Sequence, residues 1–205
     1  MNNKFVITVE NSAPFQKKTA KSVTWAAEIL RDLGVTRVVD IGCGRLRNLK
    51  VFQTFFSHIT LVDTELQCKR TKDLVPKLEQ VRLIDTERFM QYKNKFHAAF
   101  LISVLHIIPD KKSRERILSM AIEKVRGPGY IVIDVPYGEN YYRQKCTIEN
   151  KYRDGWIMGD GQNRTFYKNY NARELDELLI NRMSLELFKK VWFDKHIVRI
   201  MKRAS

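Results

Sequence analysis

The chain has 205 residues, enough for one domain with a substantial core and too few for two ordinary ones. Its 44 % hydrophobic and 29 % charged content is that of a globular protein, which excludes a fibre or a disordered chain. With 37 Lys and Arg against 23 Asp and Glu the formal charge is +14, so an electrically indifferent surface is excluded and a polyanionic partner is expected: nucleic acid, an acidic membrane or a phosphorylated substrate.

At the N-terminus one lysine precedes the short run Phe5-Val6-Ile7-Thr8-Val9, which is no export signal. No stretch approaches the ~18 apolar residues of a membrane span. Cys43, Cys68 and Cys146 are odd in number and lack CxxC spacing, so neither a disulfide framework nor a metal site is expected. A reducing, cytoplasmic setting follows as the simplest expectation.

A helix is predicted from Pro14 to Leu33, capped by Asn11 or Ser12, with Val23, Ala26, Ala27, Leu30 and Leu33 recurring at helical spacing and Gly34 as its stop. Short apolar runs follow at Val38–Ile41, Ile59–Asp63, Val81–Asp85, Ala98–Ser103 and Tyr130–Val135, the last after a turn at Gly127-Pro128-Gly129. Between the fourth and fifth runs a helix is predicted over Lys111–Val125. A further helix at Ala172–Asn181 precedes two strand-like runs, Leu185–Trp192 and His196–Ile200. Continuous apolar strands separated by helices indicate a parallel sheet buried on both faces. The expectation is an α/β domain over residues 1–205: a doubly wound, mostly parallel seven-stranded sheet, helices on both faces, and a C-terminal antiparallel hairpin. Residues 136–170 read as an insertion or lid facing the substrate.

Ligands of such a sheet sit beyond the carboxyl ends of its strands. Asp40, Asp63 and Asp85 stand at three of those ends, spaced by 23 and 22 residues, and Gly42 and Gly44 follow the first. A carboxylate after the second strand can accept from both ribose hydroxyls of an adenosine ligand. The run Gly42-Cys43-Gly44-Arg45-Leu46-Arg47 lacks the third glycine of a nicotinamide fingerprint, and no Gly-Lys-Ser/Thr phosphate loop occurs.

In this order the motifs resemble those of the class I S-adenosylmethionine-dependent methyltransferases. Val38-Val39-Asp40-Ile41-Gly42-Cys43-Gly44 is similar to their first motif, Leu61-Val62-Asp63 to the second and Leu83-Ile84-Asp85 to the third. The segments Phe96–Asp110 and Val125–Ile131 resemble the fourth and fifth strands, and the closing hairpin matches. The resemblance spans Val38 to Ile200 and names no substrate. It implies S-adenosylmethionine as cofactor, held by Asp40, Ile41, Gly42, Cys43, Gly44, Asp63, Thr64, Asp85, Thr86 and Ser103. The family's third glycine is Leu46 here, which narrows the pocket or weakens the cofactor's hold. Its acidic residue before the fourth strand is His97, a matter of packing more than of chemistry.

Methyl transfer is an in-line displacement, so positioning supplies much of the rate, and a base is needed only where the acceptor loses a proton. His106, just past the fourth strand, is the candidate base, set against a packing histidine; His58, His97 and His196 read as structural. A DNA amino-methyltransferase tetrad is missing after the fourth strand. A partial look-alike, Asp134-Val135-Pro136-Tyr137, follows the fifth and reads as a strand-to-loop transition, with a substrate-stacking site as the alternative. Tyr137, Tyr141, Trp156 and Lys168 are candidate substrate contacts in an insertion where aromatics alternate with cations, an arrangement on which unpaired bases stack. The alternative is a lid that packs those aromatics inward. The expected activity is therefore methyl transfer to nucleic acid. The alternatives are methyl transfer to a small molecule, or a non-catalytic nucleic-acid-binding subunit with this fold. Oligomeric state and a partner subunit stay open.

Overall fold

The structure is a computed structural model and describes residues 18–137, 148–158 and 164–204. Five parallel strands form its centre: β1 (Arg37–Ile41), β2 (His58–Asp63), β3 (Val81–Asp85), β4 (Phe96–Ile102) and β5 (Val125–Pro136). Each reads as a near-continuous apolar run because both of its faces are covered. Two later strands, β9 (Glu186–Phe193) and β10 (His196–Arg203), close the sheet as an antiparallel hairpin with β10 against β5. The sheet order β3-β2-β1-β4-β5-β10-β9 is the doubly wound, mostly parallel architecture expected from the apolar runs. Because β1 lies between β2 and β4, the crossovers leave it in opposite directions, and a cleft opens at the carboxyl ends of β1 and β4.

Alternate strand residues feed two cores. Val38, Phe100, Val132 and Val198 share one with α1 (Lys21–Asp32) and α2 (Leu49–Phe55). Val39, Leu101, Ile133 and Ile197 share the other with α4 (Thr86–Gln91), α5 (Lys111–Lys124) and α6 (Ala172–Asp176), the last continuing as a π-helix through Arg182. Between β2 and β3 lies the short α3 (Glu65–Thr71).

Two local readings change. α1 begins at Lys21 rather than Pro14: residues 18–20 are not helical, and Asn11, Ser12 and Pro14 lie outside the described residues. Ala20 at its N-cap has no side-chain oxygen to offer, and the preceding Thr19 hydroxyl donates instead to the Arg47 carbonyl at 2.8 Å. Gly127-Pro128-Gly129 is no turn before the fifth strand but part of β5, with the pairing to β4 shifted between Phe96 and Ala98. His97, where the family has an acid, accepts the Thr36 N–H on Nδ1 at 3.1 Å and ties the start of β4 to the loop before β1.

The described part of the 136–170 segment contains a second sheet, β6 (Ile148–Tyr152), β7 (Gly155–Met158) and β8 (Thr165–Tyr167), all antiparallel. The Lys168 N–H donates to the His106 carbonyl at 2.8 Å, and Arg114 of α5 pairs with Asp154 of the β6–β7 turn. These bonds hold the small sheet against the domain.

Candidate cofactor and acceptor site

The chain leaves β1 in a tight loop. Gly42 has φ +76° and Gly44 φ +54°, a region that L-residues with a Cβ adopt only at a cost. At Gly42 space is also limiting, since a Cβ would stand 2.6 Å from Val104 Cγ2. Leu46 takes φ +62° without being glycine. Its side chain is buried in the same core as Leu49 and Phe52, which offsets a backbone cost of about 1–2 kcal/mol. The left-handed conformation that the third family glycine would supply is therefore still present.

The loop is fastened from β2. The Gly42 and Cys43 amides donate to the Val62 carbonyl at 2.8 and 3.1 Å. The Asp63 carboxylate accepts from Gly44 N on Oδ2 at 2.7 Å and from Thr64 N on Oδ1 at 2.8 Å. Beside it lies a cavity of about 370 Å³. Ile41, Gly42, Cys43, Gly44, Asp63, Thr64, Thr86 and Ser103 all line it, so eight of the ten expected cofactor residues converge on one cleft. Ile107, Ile108 and Ile117 add an apolar wall.

Asp40 and Asp85 do not line that cavity. Asp85 caps α4, accepting the Arg88 N–H at 2.9 Å and pairing with the Arg88 guanidinium at 3.3 Å. Asp40 is 1 % exposed, and its Oδ2 has no hydrogen-bond partner among the described residues. Burial pushes its carboxyl up to about 7, with the Arg47 charge and a bond from Asn48 pulling the other way. Arg47, which follows Leu46 where the third glycine is missing, lines the cleft, and so does Gln67, which the sequence did not single out. Arg47 donates across the cleft to Ser103 Oγ at 3.3 Å. Gln67 is buried and donates to the Gly44 carbonyl at 2.9 Å. Thr64 accepts the Gln67 N–H at 3.3 Å, and the signature Thr64-Glu65-Leu66-Gln67 of a capped helix start was the available signal.

Past Ser103 the cleft meets a polar group at the end of β5. The Ser103 N–H donates to the Asp134 carbonyl at 2.9 Å. The buried Asp134 side chain holds His196 Nδ1 on Oδ1 at 2.5 Å and accepts the Ser22 hydroxyl on Oδ2. Sequence reasoning set both His196 and Asp134 aside, although Asp134 is a fourth acid at a strand's carboxyl end.

His106 is not brought to the cleft. Its ring is buried edge-on to Tyr167, with centroids 5.2 Å apart, and is not part of the cavity wall. Burial lowers it to about 3, and the neighbouring His196 acts in the same direction. The expected catalytic histidine is thus a packing residue beneath β8.

The expected substrate contacts do not gather either. Tyr137 is 46 % exposed at the end of β5, and Tyr141 lies outside the described residues. Trp156 is half-buried in β7. Lys168 is buried, paired with Glu174 at 2.7 Å and Asp154 at 3.5 Å. Phe166, Tyr167 and Tyr170 are buried as well, so these aromatics pack inward as in the lid alternative. Among the described residues no group of three His, Cys, Asp or Glu could hold a metal ion, and no helix is long and apolar enough to cross a membrane.

No protein-family model and no curated protein sequence matches the chain. Solved structures do. An amino pentose methyltransferase of calicheamicin biosynthesis from Micromonospora echinaspora, with S-adenosylmethionine bound, is similar over 100 % of both chains at TM-score 0.67 and 13 % identity. The chain has the fold of the S-adenosylmethionine-dependent methyltransferases. The 1,6-didemethyltoxoflavin-N1-methyltransferase of Burkholderia thailandensis is similar over 90 % of this chain and 79 % of its own, at TM-score 0.63 and 19 % identity. A methyltransferase from Clostridium acetobutylicum matches over 90 % and 91 %, at 0.65 and 13 %. This methyltransferase fold places its cleft where the glycine loop, Asp63 and Ser103 converge.

Proposed function

We propose that the protein transfers a methyl group from S-adenosylmethionine to a small-molecule acceptor. The observation that carries this reading is the Asp63 carboxylate, fixed by two backbone N–H groups at the mouth of a largely apolar cleft beside the glycine loop. The residues fit the cofactor: Gly44 on the cleft wall has no atom within 4 Å of where a Cβ would stand, and the Asp63 carboxylate lines the same cleft. Asp63 would accept from the ribose hydroxyls, the glycine loop would lie along the methionine end, and Thr64 and Thr86 would border the adenosine end. When bound, the cofactor supplies an electrophilic methyl group on a sulfonium that departs as a neutral thioether. The apolar wall of Ile107, Ile108 and Ile117 would limit water around that centre.

A small acceptor is supported by the inward-packed aromatics of β8 and by the similar structures, two of which are named for small molecules. The +14 charge favours a second reading, a nucleic-acid acceptor. Calorimetric titration with S-adenosylmethionine and S-adenosylhomocysteine tests the first claim. Saturable binding is expected, and no heat at about 1 mM ligand would overturn it. Binding to RNA and DNA across a salt series separates the two acceptors, because a slope near zero against log salt removes the nucleic-acid reading.

A further inference from the structure

We propose that a second cavity, outside the cofactor cleft, binds a small zwitterion that carries a carboxylate and an ammonium group. This goes beyond the methyltransferase reading and does not rest on it. The cavity measures about 450 Å³, within the range of small-molecule sites, and its walls come from α5, from α6 with its π-helical continuation, and from the β6–β7 turn. Pro109 and Asp110 line both this cavity and the cofactor cleft. Asp110 Oδ2 accepts the N–H of Ser113, a residue of the cleft, at 2.8 Å. Its Oδ1 accepts Arg153, a residue of the second cavity, at 2.9 Å, so one carboxylate joins the two walls.

The charges on the wall decide the class of ligand. Most of them are already matched. Arg153 pairs with Asp110, Arg182 with Glu115, and the buried Arg114 and Lys168 with Asp154 and Glu174. One cation and one acid of the lining are left over, Lys111 and Glu177, and neither makes an ion pair or a hydrogen bond among the described residues. Lys111 opens the 14-residue α5, where the positive end of the helix adds to its charge. A ligand with a single charge would leave one of the two unmatched, whereas a zwitterion satisfies both, its carboxylate at Lys111 and its ammonium at Glu177.

Tyr170 is the second, independent sign of a ligand. It lines the same cavity, is 2 % exposed, and its hydroxyl has no hydrogen-bond partner among the described residues. Burial pushes its phenol up, so at neutral pH it is a protonated donor. Arg114, Asp154 and Glu174 are close enough to bear on it, and the Lys168 ammonium lies 4.9 Å over its ring. A buried hydroxyl without a partner is costly to the fold, and a ligand carboxylate would supply the missing acceptor.

The test is calorimetric titration of the full chain at neutral pH with the ω-amino acids from glycine to 8-aminooctanoate, a series that spans the separation of the two charges. The alkylamine and the carboxylic acid of each length are the singly charged controls. Saturable binding is expected at a preferred chain length, at least about tenfold tighter than either control. No binding by any member at about 10 mM, or binding no tighter than the controls, would overturn the proposal. Lys111→Gln should bring the preferred zwitterion down to the affinity of the alkylamine, and Glu177→Gln to that of the carboxylic acid. Both residues are exposed, so the two variants should unfold at the temperature of the unsubstituted chain. Unchanged affinity in both would put the binding outside this cavity and overturn the proposal. Tyr170→Phe should weaken binding by about fivefold, and an unchanged affinity would remove Tyr170 from the site.

Discussion

The Gly44 amide donates to the Asp63 carboxylate at 2.7 Å, joining the loop after β1 to the end of β2. One side chain thus shapes the glycine loop and presents the carboxylate that would meet the ribose. Asp63→Ala should weaken S-adenosylhomocysteine binding by at least about tenfold, or ~1.4 kcal/mol, in a calorimetric titration. Asp85→Ala should affect stability, through the lost cap of α4 and by about 1 kcal/mol, far more than affinity. Equal affinity losses in the two variants would contradict the placement of Asp63 in the cleft and of Asp85 outside it.

The two loop glycines should respond differently to alanine. Gly44→Ala meets no atom within 4 Å and pays only the left-handed backbone cost, about 1 kcal/mol. Gly42→Ala adds a collision with Val104 and should cost about 3 kcal/mol in urea unfolding. Combining it with Val104→Ala should recover part of that difference, since the collision is then removed. A double variant no more stable than expected from additivity would show that Val104 is not the obstacle.

Two buried groups should set opposing pH dependences. Asp40 is raised when folded to about 7 from 3.8, so the folded protein binds the extra proton and Asp40 lowers stability as pH rises through that window. His106 is lowered to about 3 from 6.5, so the unfolded chain binds the extra proton and stability rises with pH between those values. Across about pH 4 to 6.5 the two nearly cancel. Asp40→Asn should therefore show stability rising with pH there, and His106→Asn stability falling, each by up to about 1.4 kcal/mol per pH unit. Parallel pH curves for the two variants would refute the assignment.

The ion pairs that reach α5 are of unequal worth. Asp154 meets the buried Arg114 and Lys168 although it is itself 39 % exposed. Asp154→Asn should destabilise by about 2 kcal/mol, discounted for that exposure. The more open Arg182–Glu115 pair should cost under ~1 kcal/mol when Glu115 becomes Gln. Thermal unfolding of the two variants gives the ranking directly.

Residues adjacent in sequence carried most of what could be read without the structure. The Val38–Gly44 run, the acids at 63 and 85 and the apolar hairpin are local patterns, and period and spacing expose them. The second sheet was not legible, because strands of three to five residues among glycines and charges have no clean alternation. Gly127-Pro128-Gly129 reads as a turn in isolation, and only its pairing with β4 and β10 makes it strand. His106 looked well placed for chemistry because proximity to a strand end is visible in sequence while depth of burial is not. The Asp134–His196 contact spans 62 residues and exists only through the pairing of β5 with β10.

That pairing gives the two-residue turn at Asp194-Lys195 a consequence for His196. Side chains on a strand alternate with a period of two, so a slip of one residue would turn His196 to the opposite surface of the sheet and bring Ile197 to Asp134. The length of that turn, remote from the glycine loop in sequence, acts as a phase setting for the imidazole. A single inserted residue there would leave the glycine loop whole and part His196 from Asp134.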